Sequence, residues 1–249
     1  MKPQTIDEVL QEMDGIIERS IHEKSFLGIF AYIYRQTTAR IKEEIEQGNF
    51  ENNDRLSGFD VVFANFYLDA FRKYREGEPV TESWRVAFEA QNKKLTIIQH
   101  LLLGMNAHIN LDLAITASEV MDKKPIAELE NDFIKVNDIL AGLLDEMQSK
   151  IAKASMMMFL LDWIGKRTDE EIINFSIKEA RKQSWRLANE IWSLEGAAKE
   201  YRIKQADRSI GEIGNFISKP KSGLLRFVLK IIGRFEPAEP AAVINKLKL

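Results

Sequence analysis

The sequence predicts an all-α protein: a single-domain multi-helix bundle around a central buried helix at about 94–121. Three observations carry that expectation. Apolar residues recur at helical spacing through most of the chain, and no stretch sustains the strict alternation of a half-buried strand. Gly 13 and Pro 6 are few for 249 residues, so turns should be few and elements long. All six prolines fall where a helix would begin or end, as expected of a residue that disrupts helix interiors.

In chain order, Thr5 and Glu8 have capping-box spacing, and Ile6, Val9, Met13, Ile16 and Ile17 follow as one stripe. A second helix is expected from about Ser25 to Gln47, stopped by Gly48. A third runs from about Leu56 to Arg75 and closes at Gly77-Glu78-Pro79. A short helix covers Thr81–Gln91, and the long central one covers about Lys94 to Met121 before the break at Asp122-Lys123-Lys124-Pro125. Residues 126–152 read as helix on the stripe Ile126, Leu129, Phe133, Val136 and Leu140. Ser155 could cap a short apolar segment to Ile164. Thr168 opens a helix that continues, with at most a bend at Gly196, to about Ile217. Ser222–Arg234 and Pro240–Leu249 are the final segments. No linker separates two halves, so residues 1–249 are read as one helical domain, with 222–249 a C-terminal docking helix or tail.

Composition excludes several classes of function. Lys+Arg 35 against Asp+Glu 38 leaves a net charge of −3, without the basic footprint of a nucleic-acid binder. The absence of Cys excludes disulfides, thiolate metal sites, iron–sulfur clusters and a cysteine nucleophile. The start of the chain meets acidic residues where a secretory signal would be apolar, and no run approaches the roughly 18–20 apolar residues of a membrane span. A cytoplasmic location is the expectation. Gly-rich phosphate loops, the Gly-x-Ser-x-Gly elbow and nucleotide fingerprints are missing.

The segment Gln99 to Leu113 is the most informative, because two of the three histidines lie on a helix that is apolar nearly all round. At about 100° per residue, Gln99, Asn106 and Asn110 share one edge, while His108 and Asp112, four apart, can meet on another with His100 near it. Buried polar groups cost about 1–3 kcal/mol each if unpaired, so each should find a partner on another helix. In a functional reading, Asp112 orients the His108 tautomer and the imidazole serves as general base or ligand. In a structural reading, the same groups set helix register, with Gly104 admitting a close neighbour. A metal held by both histidines fits poorly, since eight residues of helix separate their Cα atoms by about 12 Å. No metal site is assigned, and no motif indicates a cofactor.

The third helix carries a second candidate. Asp60 falls on the apolar face of Ala64, Tyr67 and Phe71, and a buried Asp needs a cation, a histidine or several donors. Arg35 is a candidate cationic partner. Asn65, Asp69 and Arg72 share a different edge, where an Asp69–Arg72 surface pair is the plain explanation. Met156-Met157-Met158 reads as flexible core or pocket lining. Asn174, Arg181 and Trp185 could line a cavity, although a packed face with a snorkelling Arg is preferred.

Three blocks carry a resemblance: Asp60 to Ala70, Ser83 to Phe88, and His100 to Leu113. Together they resemble a bacterial family of about this length catalogued only as a domain of unknown function. The similarity runs from the first helix to about Trp192. Residues similar to that family's motif are Asp60, Asn65, Asp69, Trp84, His100, Asn106, His108, Asn110 and Asp112. The resemblance implies a shared helical fold and marks a site without supplying a mechanism. Heme-oxygenase-like bundles and helical zinc phospholipases fit less well: His22 lacks a specific surrounding pattern, and three histidines are too few for the zinc sites.

The functional expectation is a small-molecule site, with enzymatic chemistry open, between the 56–75 and 94–121 helices. His108, Asp112 and Asp60 are its catalytic candidates; Asn106, Asn110, His100, Asn65, Asp69 and Arg35 are its ligand-binding candidates. The alternative is a non-catalytic structural or interaction protein. In the tail, Arg226, Lys230 and Arg234 form one cationic stripe on an apolar helix. Docking onto the bundle, or onto a second copy in a homodimer, is preferred to an anionic membrane surface, because the apolar arc is wide.

Overall fold

The computed structural model describes residues 2–140 and 177–248, all of whose regular elements are helical. The Met156–Met158 run, Asn174 and the helix starts expected at Ser155 and Thr168 lie outside the described residues. Helix α1 (Ile6–His22) opens at Thr5, whose hydroxyl accepts the Glu8 N–H, and α2 (Leu27–Glu46) follows. Helix α3 (Asn53–Glu76) closes at Gly77, whose φ of 73° is a left-handed conformation that glycine adopts without strain. The short α4 (Glu82–Glu89) then leads to the central segment.

That segment is three pieces on one path: α5 (Ile97–Ala107), a single π turn (His108–Asp112) and α6 (Leu113–Val120). After Pro125 a 3₁₀ turn (Ile126–Leu129) leads into α7 at 130–140. The remaining helices are α8 (Ile177–Trp192), α9 (Gly196–Ser218), α10 (Gly223–Phe235) and α11 (Pro240–Lys248). The continuous 168–217 helix read from the sequence is therefore corrected. The chain breaks after Trp192, and Gly196 at φ 52° lets it turn back so that Arg202 on α9 bonds Glu190 on α8.

Two apolar cores form among the described residues, and the central segment runs through both. Leu101, Leu103 and Ala107 belong to the first, with α1, α2, α4 and the C-terminal helices. Leu111, Leu113 and Ala117 belong to the second, with the start of α3, α8 and the middle of α9. The π turn sits where they meet. On α10, Leu225, Val228, Leu229 and Ile232 lie in the first core, whereas Arg226, Lys230 and Arg234 are exposed with Leu224, Phe227 and Phe235. No helix among the described residues is long and apolar enough to cross a membrane.

Candidate functional site

The site is built on the π turn. In such a turn one extra residue is accommodated, here through Leu113 N–H reaching His108 C=O, and π turns recur at functional sites. His108 Nδ1 stands 2.9 Å from Asp112 Oδ2, and both residues are 2% exposed. Trp84 Nε1–H donates to the same oxygen at 2.9 Å. An indole N–H is only a donor, so Asp112 Oδ2 is an acceptor. With Asp112 ionised, Oδ2 can only accept, which puts the His108 proton on Nδ1 and leaves the Nε2 lone pair free. Nε2 is buried without a hydrogen-bond partner among the described residues.

Aromatic rings hold the imidazole in place. Phe63 stacks on it at 3.7 Å between centroids and 8° between planes, and Tyr34 meets it edge-on at 4.4 Å. Burial in this apolar surround lowers the His108 pKa, so the imidazole is neutral, despite the opposing pull of Asp112. Burial raises the Asp112 carboxyl, and the His108 and Trp84 bonds pull it back.

Trp84 reaches Asp112 because α4 is anchored from α9. The Asp207 carboxylate accepts the Glu82 and Ser83 N–H groups at 2.7 and 2.9 Å and the Ser83 hydroxyl at 2.8 Å, capping α4 from outside its own segment. Phe30 of α2 reaches the cluster past Gly104 of α5. A Cβ on Gly104 would overlap the Phe30 ring, so this close crossing requires glycine.

His108 opens onto a cavity of about 590 Å³ walled mainly by apolar side chains of α2, α3, α5 and α7. Asp60 lines it from α3. Its Oδ2 is buried without a partner among the described residues, and burial pushes the carboxyl up to about 7. Tyr34 lines it from α2. Burial, then the charges of Asp60 and Asp112, hold its phenol well above the ordinary value and thus protonated. On the far helices, Asn137 and Arg181 line the same space. The groups facing it are thus a neutral imidazole acceptor, a carboxyl able to gain or lose a proton near neutrality, a phenol donor and a guanidinium.

A family model matches residues 6–220. The chain belongs to that family, the family of unknown function DUF5995. Comparison with curated proteins and with solved structures finds no match. The matched span passes Trp192, contains every residue of the site and stops before α10. No group of three or more His, Cys, Asp and Glu that could hold a metal occurs among the described residues.

The structure brings His108 and Asp60 to one cavity, with Asp112 bonded to His108 but outside the lining, and disperses the other candidates. Arg35 makes a two-point bond with Asp14 on α1 and leaves Asp60 without it. Asn65 donates to Pro3 and Val61 carbonyls, and Asp69 pairs on the surface with Lys2, Arg72 and Lys73. Asn106 donates to the Ile210 carbonyl of α9 and accepts from Asn110, so this amide edge fastens α5 to α9. His100 stacks on Phe26 beside a separate void of about 10 Å³, and burial drops its pKa to about 4.

Sequence reasoning missed the chemical contributions of Trp84, Tyr34 and Asp207. Arg181, for which a snorkelling role was preferred, is instead 5% exposed on the cavity wall. Its helical phase was visible in the sequence, but the cavity that gives it meaning was not.

Proposed function

We propose that this protein binds a small, largely apolar molecule in the α2–α3–α5 cavity and exchanges a proton with a polar group of that molecule at His108 Nε2. The observation that carries the reading is the pairing of a fixed Nδ1 with a buried, unpartnered Nε2 on a side chain that lines the cavity. Asp112 and Trp84 hold the tautomer, Phe63 and Tyr34 hold the ring plane, and the neutral imidazole is able to accept. Asp60, with a carboxyl near 7, is the partner suited to the opposite proton movement. Apolar walls with a few convergent polar groups are the general composition of small-molecule sites. The register-setting alternative accounts for Asn106 and Asn110. It leaves the unpartnered Nε2 of His108 without a role.

The test uses decan-1-ol, an apolar probe with one hydroxyl, and ¹⁵N-labelled histidine. His108 is expected as the Nδ1–H tautomer, with its Nε2 resonance moving as the alcohol is added. An Nε2–H tautomer, or an Nε2 resonance indifferent to saturating alcohol, would overturn the proposal.

A further inference from the structure

The opposite wall of the cavity says what the ligand should carry. Arg181 on α8 is 5% exposed, and its guanidinium lies over the Phe133 ring at 4.3 Å. Its Nε–H donates to Asn137 Oδ1 at 2.5 Å and its Nη2 to the Phe133 carbonyl at 2.6 Å. Both acceptors are neutral, and no carboxylate forms an ion pair with Arg181 among the described residues. A guanidinium has five N–H donors, so three are unspent among the described residues. Buried cations are ordinarily paired with an anion, because desolvation penalises a lone charge heavily. The ring face and the two neutral acceptors hold the group in place without cancelling its charge. Exposed Lys178 and Asp138 also line the cavity with opposite charges, so this edge carries no net charge that would repel an anion.

We infer that the cavity is a site for a largely apolar monocarboxylate, with Arg181 pairing the carboxylate and the hydrocarbon body carrying, at its other end, the polar group that meets His108. The inference rests on the proposed small-molecule reading and adds the ligand's charge. Guanidinium and carboxylate match as a two-point pair, and the pair forms here in a largely apolar surround that strengthens it. The Asn137 and Phe133 bonds set the plane of the fork before ligand arrives. The remaining walls are the aliphatic and aromatic side chains that a hydrocarbon chain or ring would cover.

The experiment compares sodium decanoate with decan-1-ol by isothermal titration calorimetry at pH 7.5, on the wild-type chain, R181Q and R181K. Decanoate is expected to bind the wild type at least tenfold more tightly than the alcohol. R181Q should abolish that preference, and R181K should restore part of it by returning the charge without the fork. Circular dichroism shows which variants are folded; if R181Q is not, the wild-type comparison and R181K decide. Equal binding of acid and alcohol by the wild type overturns the carboxylate inference while leaving the apolar site standing. Decanoate preference undiminished in a folded R181Q overturns the role of Arg181. Binding of neither probe overturns both readings.

Discussion

Replacing Asp60 with Asn tests whether the cavity wall holds a carboxyl at a cost to the fold. Burial raises this carboxyl from 3.8 to about 7, and its Oδ2 has no partner among the described residues. In the unfolded chain the proton leaves near the ordinary value; in the folded chain it leaves near 7. Between those limits the folded state keeps a proton that the unfolded state has released. Stability therefore falls as pH rises through this window and levels off above it. A shift of about three units corresponds to ~4 kcal/mol at roughly 1.4 kcal/mol per unit. D60N cannot ionise, so this slope disappears. Its unpaired amide adds a pH-independent offset of about 1–3 kcal/mol. Burial raises the Tyr34 phenol beyond the window, lowers the His108 imidazole and raises the Asp112 carboxyl in the same direction as Asp60; these groups are common to both proteins and drop out of the difference. Urea melts followed by circular dichroism at several pH values from 4.5 to 8.5 give the difference in stability between variant and wild type. That difference should move in favour of D60N by several kcal/mol as pH rises. Parallel curves with a constant offset would show a solvated or paired carboxyl and refute the reasoning.

Two further outcomes follow from the supports of the site. G104A forces a methyl into the Phe30 ring and should cost about 1–3 kcal/mol of stability, because a packed ring must leave its place; urea melts read this, and unchanged stability contradicts so tight a crossing. D207A removes three bonds to the start of α4 and should cost about 1–2 kcal/mol. It should also shift the Trp84 indole N–H resonance, since α4 carries that donor to Asp112; an unmoved resonance means that α4 keeps its position without the cap.

The sequence by itself determined what depends on neighbours along the chain. Helical periodicity, the Thr5 cap and the Gly77 stop are local, so they were legible without a structure. The His108–Asp112 pair was legible for the same reason, because four residues of helix bring two side chains together whatever surrounds them. Asp60 stood out as one carboxylate on an apolar stripe, which is why its place on an interior wall could be expected. Only the tertiary structure decided the rest. Whether Arg35 meets Asp60 or Asp14 depends on how α2 crosses α1 and α3, and periodicity carries no information on crossing. The Trp84–Asp112 bond, the Asp207 cap and the Arg181–Phe133 contact join residues far apart in sequence. The π turn also escaped the sequence, whose pattern specifies a helical face but does not reveal a single added residue. Partner choice among distant groups is settled by packing, which selects one arrangement from many that share the same local helices.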